Sequence, residues 1–174
     1  MLKGFLTGTL VAGLAFIGYL YYHLGFHQKA TVTEGKRGPY YVIYQEHLGA
    51  YFRIAPVIDT VEKAVKEAKL PCERTFGEFF DDPKKVDEDR LHSRGGCIST
   101  QPYMNLPPGF LSAEIPSRDY VIANFSGSPA IGPWKVYPEV QEYRKNHGLP
   151  EAGESIEIYS LHENGISTEY LFPR

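Results

Sequence analysis

The stretch YVIYQEHLGAY, Tyr41 to Tyr51, opens the same way as YVIANFSGSPA, Tyr120 to Ala130. The constant offset also aligns Val57 with Val136, Val61 with Val140, Lys66 with Lys145 and Glu78 with Glu157. Leu70-Pro71 meets Leu149-Pro150 in the same alignment, which needs no gap over forty positions, nine of them identical. This pattern reads as a tandem duplication inside one folded unit.

Each copy begins with a β-branched and aromatic run, Tyr40–Glu46 and Tyr120–Phe125, that predicts a strand. Gly49 and Gly127 follow as turns. Ile54, Val57, Ile58, Val61 and Val65 then recur at helical spacing, as do Val136, Val140, Tyr143 and His147 in the second copy. Gly148 and Pro150 mark the end of the second helix. Pro56 and Pro138 are expected in first turns, where a proline does not break the helix. A hairpin closes each copy, with arms near Thr75–Phe80 and Leu91–Ser99, then Ser155–Leu161 and Ile166–Phe172. The second is joined by HENG, whose Asn-Gly pair favours a tight turn. The expected class is α+β: two β-α-β-β units form a largely antiparallel sheet, with two helices on one face and a groove on the other. The proline-rich segment 100–117 connects the copies.

Residues Gly4 to Tyr22, GFLTGTLVAGLAFIGYLYY, carry no charge. As a helix they would extend ~28 Å, and tyrosines gather at one end. The expectation is a single transmembrane helix in an anchor of residues 1–28, a tether over 29–38 and a folded domain over 39–174, with repeats near 40–100 and 119–173. A cleaved signal peptide is the alternative, with Gly13–Ala15 as its cleavage site, but the apolar run continues past it. Lys29, Lys36 and Arg37 place the folded domain on the cytoplasmic side, of the ER in a eukaryote or the inner membrane in a bacterium.

The chain has 174 residues and a net charge of −3, with no basic stripe, so no nucleic-acid partner is expected. Thirteen tyrosines and ten phenylalanines suit both a sheet and an apolar pocket. Cys72 and Cys97 either pair or stay as buried thiols. No metal-ligand spacing, cofactor motif or Ser-His-Asp arrangement is present, so neither metal nor cofactor is expected.

The segment SIEIYSL, Ser155 to Leu161, carries the expected chemistry. Strand alternation points Ile156 and Ile158 under the helices and Ser155, Glu157 and Tyr159 into the groove. In the duplicate FGEFFDD, Glu78 and Phe80 point together. A carboxylate among rings is desolvated and its pKa rises, so it can pair with a cation or act as a general acid or base. A solvated glutamate on a half-exposed strand is the plainer alternative. Tyr51 and Trp134, at the helix entrances, are expected to wall the groove or else to join the core.

The doubled unit with EIY in its penultimate strand resembles the GyrI-like small-molecule-binding domains. FFDDPKKVDEDRLHSRGG, SIEIY and TEYLFP are similar to that family's motifs, over about residues 38 to 173. The run VYPEVQEYRKNHGLPEAGESIEIY is similar to a membrane-anchored branch that includes the testis-expressed ER-phagy receptor. The resemblance implies an aromatic groove for an apolar or cationic small molecule, with Glu157 as its charged group and Tyr159 beside it. It also implies two alternatives. One is a hydrolase of reactive electrophiles with Glu157 as the base. The other is a membrane adaptor that lacks the receptor's C-terminal adaptor-binding tail. The expected partners are a small molecule, a membrane and a protein, without nucleic acid.

Overall fold

A computed structural model describes residues 2–163 and 165–174, with side chains from residue 8 onward. Eight strands form one antiparallel sheet in the order β1-β6-β8-β7-β3-β4-β2-β5. The first copy supplies β2 (Tyr40–Leu48), α2 (Ile54–Glu67), β3 (Arg74–Phe79) and β4 (His92–Ser99). The second supplies β6 (Arg118–Ser126), α3 (Gly132–Asn146), β7 (Ser155–His162) and β8 (Gly165–Pro173). The copies meet at the centre, where β3 pairs with β7. The expected Asn-Gly turn includes Asn164, which lies outside the described residues.

Two strands come from segments read as tether and connection. β1 (Thr31–Arg37) pairs with β6, and β5 (Leu111–Ile115) pairs with β2. Both are edge strands with largely exposed, polar-rich faces, so they lack the apolar alternation that marks a buried strand. α3 also departs from expectation, because Pro138 sits inside it rather than in its first turn. Pro133 at the helix start adds a turn before Pro138.

The membrane expectation is corrected. The N-terminal run does form a helix, α1 (Leu2–His23), but no helix among the described residues is long and apolar enough to cross a membrane. Small and polar residues interrupt the apolar run over residues 8–23. Gly8, Gly13, Gly18, Thr9 and His23 dilute its hydropathy. The end of α1 joins the folded body: Ser128 N donates to Leu24 O at 3.0 Å, and Lys135 Nζ donates to Phe26 O at 2.7 Å.

Both helices lie on one face of the sheet. α2 packs on β2, β3 and β4, and α3 packs on β6 and β1. Gly95 admits α2, since a Cβ there would collide with Ile58. The other face is not an open groove, which corrects the second element of the expected architecture. Tyr40, Val42, Phe76, Ile122, Ile158 and Leu171, from strands across the sheet, share one buried cluster there. Tyr40 on β2 also feels Glu169 on β8, with three strands between them in sheet order. The sheet therefore curls so that this inner face closes on itself.

Candidate functional site

The side of the sheet on which each side chain lies follows from register. Ile43, Gly95 and Cys97 face α2, while Val121, Ala123 and Phe125 face α3. The ladder carries that face across the centre: Gly95 opposes Gly77, Gly77 opposes Glu157, and Glu157 opposes Tyr170. Glu157 and Tyr159 thus lie on the helix side. Ile156 and Ile158 point to the closed inner face with Phe76 and Leu171. The expectation had these directions reversed. The closed inner face is the drier core, so it takes the isoleucines. The glutamate instead faces the gap between the helices.

The paired glutamates expected to share one surface are on opposite faces. Glu78 opposes Ile156 and Arg94, on the inner side. Arg94 Nε donates to its Oε2 at 2.6 Å, and the guanidinium stacks over Tyr44 and Phe80. Phe80 accompanies Glu78 there and stacks on His92. Burial raises the Glu78 pKa, against the opposing pull of Arg94. In the strands, helix-facing residues are odd-numbered in β2 and β3 and also in β6 and β7. An odd offset therefore cannot superpose them. The aligned motifs are one residue out of structural register, and a one-residue shift exchanges the faces of a strand.

Glu157 is 5% exposed. Tyr159 donates to its Oε2 at 3.0 Å, and no cation pairs with it among the described residues. Burial pushes its pKa up to about 7, although the Tyr159 hydrogen bond pulls the other way. Gly77, directly across the ladder, leaves room beside it. A Cβ there would press on the Phe79 ring and approach the Tyr159 hydroxyl.

Aromatic rings enclose the carboxyl. Tyr159 leans against Phe79, Ile54 and Ile58 on the α2 side. Tyr51 meets Phe79 edge-on at 4.8 Å. Its hydroxyl accepts from Asp81 N at 2.8 Å and lies 3.1 and 3.2 Å from the Asp81 and His92 carbonyls, to which it can donate. Burial pushes the Tyr51 phenol up to about 12. On the other side Tyr137 of α3 hydrogen-bonds Ser155 Oγ at 3.0 Å and packs edge-on against Tyr170 and Phe172. Burial raises Tyr137, Tyr159 and Tyr170, and the Glu157 charge adds to each shift. Tyr170 fits beneath α3 because residue 132 is glycine; a Cβ there would overlap the phenol oxygen.

Of the residues singled out in the sequence, Glu157, Tyr159 and Tyr51 come together. Glu78 and Phe80 lie on the far face, and Trp134 is 84% exposed at the start of α3. Tyr137, Tyr170, Thr168, Phe79 and Gly77 complete the cluster without having been singled out. Tyr170 and Thr168 lie within the motif TEYLFP and could have been found by extending alternation to that strand. Tyr137 adjoins the apolar stripe of α3, and no sequence signal separates it from core. Two open surface depressions, about 470 and 230 Å3, lie elsewhere, beside Arg53 and Glu88 and beside Val32 and Tyr143. Neither includes Glu157, which is buried near Tyr137, Tyr159 and Tyr170.

Solved structures share this architecture. The EcmrR–DNA complex in EcmrR-RPo, determined by cryo-EM, matches with a TM-score of 0.62 at 13% identity. The match covers 95% of this chain and 64% of that one. The crystal structure of the EcmrR C-terminal domain matches with a TM-score of 0.58 at 15% identity, over 84% of this chain and 96% of the domain. The chain thus shares the fold of the EcmrR C-terminal domain. No family model and no curated protein matches the chain. None of these comparisons supports the resemblance to the membrane-anchored branch.

The expectation that set nucleic acid aside is corrected as well, since one of these structural neighbours is described in a complex with DNA. The expectation rested on the net charge of −3 and on the lack of a basic stripe in this sequence. This chain spans 64% of the EcmrR chain in that complex.

Proposed function

We propose that this chain binds an aromatic or otherwise apolar small molecule bearing a positive charge, in the cleft between α2 and α3, with Glu157 as counter-charge. The observation that carries this reading is a buried carboxyl with no cationic partner among the described residues, set among Tyr137, Tyr159 and Tyr170. A cation would restore the charged form that burial penalises, and the rings offer it electron-rich faces. The GyrI-like fold supports the same reading, at the level of fold. Entry requires the tyrosines to move aside, since Glu157 is buried near them.

The test compares wild type with Glu157→Gln, using a cationic aromatic ligand and its neutral isostere. Loss of the carboxylate should weaken cation binding by ~30-fold or more and leave the neutral ligand unaffected. Equal weakening of both ligands, or of neither, would remove Glu157 from the site. A second reading, hydrolysis of a reactive electrophile with Glu157 as base, draws on one observation. A carboxyl titrating at about 7 is poised for proton transfer near neutral pH. Turnover of a strained electrophile, lost in Glu157→Gln while binding persists, would favour it.

A further inference from the structure

Three buried side-chain oxygens have no hydrogen-bond partner among the described residues: Ser93 Oγ, Thr168 Oγ1 and Tyr170 Oη. All three lie on the helix side. Ser93 opposes Phe79, Thr168 opposes Tyr159, and Tyr170 opposes Glu157. The inner face has its own buried polar groups, including Glu78 with Arg94, yet none of the three orphans. A buried hydroxyl without a partner costs folding free energy, so each such group calls for an explanation.

Thr168 and Tyr170 are next to Glu157 and its partner Tyr159 along the β7–β8 ladder. Thr168 is near enough to lower the Tyr170 pKa, although neither oxygen attains hydrogen-bond geometry. Tyr170 also lies within electrostatic reach of Glu157 and Tyr137. Tyr159 occupies Glu157 Oε2, and no side-chain donor reaches Oε1 among the described residues. One carboxylate oxygen and two hydroxyl oxygens therefore lack donors within a single patch. Three acceptors around one charge match a cation that carries several N–H groups. A quaternary cation presents only C–H surface and would leave both hydroxyls orphaned after excluding water.

We propose that the ligand is an aromatic primary or secondary ammonium ion, recognised through its N–H groups as well as its charge, with Glu157, Thr168 and Tyr170 as acceptors. This rests on the cation-binding reading above and narrows it to one chemical class. Thr168 and Tyr170 are then specificity residues, and Glu157 supplies the attraction common to all cations.

The probes are 2-naphthylmethylammonium and its N,N,N-trimethyl derivative, titrated calorimetrically into the full chain. Wild type should bind the primary ammonium roughly tenfold more tightly than the quaternary ion. Thr168→Val and Tyr170→Phe should each reduce that preference by roughly threefold, and the double variant should abolish it. Affinity for the quaternary ion should change less than affinity for the primary ammonium in each variant. Without ligand, both variants should melt no lower than wild type, because each removes an orphaned oxygen. Equal or tighter binding of the quaternary ion by wild type would overturn the N–H assignment and leave the cation reading standing. A preference that survives in the double variant would overturn the roles of Thr168 and Tyr170. Binding of neither probe by wild type would overturn the cation reading and this one together.

Discussion

Glu78 and Glu157 occupy the same place in the repeated sequence and end in opposite circumstances. Glu78 faces the closed interior of the curled sheet, where Arg94 binds it at 2.6 Å and two rings flank the guanidinium. Glu157 faces the helices and has a tyrosine hydroxyl in place of a cation. Both carboxyls are raised by burial, but only Glu157 is carried to about 7. A buried carboxyl with a dedicated arginine is a structural pair. One kept without it weakens the fold, as functional groups commonly do.

The largest expected effect breaks the structural pair. Arg94→Leu should destabilise the protein by about 3–5 kcal/mol near neutral pH, because it strands the Glu78 charge. Denaturant unfolding measures it. The deficit should shrink on acidification, as Glu78 takes up a proton. A deficit that does not change with pH would mean that lost packing, not stranded charge, is responsible.

Glu157 should give the opposite sign. Its folded pKa lies above its unfolded value, so the folded state holds the proton longer. Stability from this group is complete below the unfolded value near 4.5 and is lost as pH rises through about 7. The difference corresponds to ~3 kcal/mol at pH 8. Glu157→Gln should therefore raise stability at pH 8 by about that much and have little effect at pH 4. Stability curves of the two proteins that run parallel from pH 4 to 8 would show that Glu157 ionises freely.

The copies also differ in how they are tied. In the first, a disulfide joins Cys72, beyond α2, to Cys97 on β4 across 25 residues, with Val65 buried nearby. In the second, Arg144 stands where the repeat has Val65, and it donates to the carbonyls of Pro150 and Pro173. Replacing both cysteines with alanine should cost about 3 kcal/mol, the loop-closure value for that length. Thermal melting of the variant beside reduced wild type measures it; coincident curves for oxidised wild type and variant would mean that the disulfide contributes nothing. The smallest effect concerns the helix ends. Gly148 after α3 has φ +66°, whereas Lys69 after α2 has φ 55° with a side chain attached. Lys69→Gly should gain up to ~1 kcal/mol by relieving that left-handed strain. A destabilised variant would show that the flexibility given to the unfolded chain outweighs the relief.

Much of the architecture is local and could be read from the sequence. The apolar spacing of Ile54, Ile58, Val61 and Val65 makes a helix wherever it packs, and the alternation of SIEIYSL makes a strand. Duplication then implies two such units, and burial of like faces implies both helices on one side. It was also local that Glu157 and Tyr159 share a face, because residues two apart in a strand always do. Which face that would be was not local. It depended on the curl of the sheet, which turned the supposed open side into the drier core and drew in Ile156 and Ile158. The one-residue shift between aligned motifs and paired strands was invisible for the same reason, since register is set by partners distant in the chain. Tyr137 and Tyr170 reached Glu157 only through the placement of α3 and the ladder between β7 and β8. The sequence by itself determined the repeated elements, but not the edge strands β1 and β5. Only the tertiary structure decided which carboxylate received an arginine and which was left to tyrosines, because burial and pairing depend on neighbours the chain brings together only on folding.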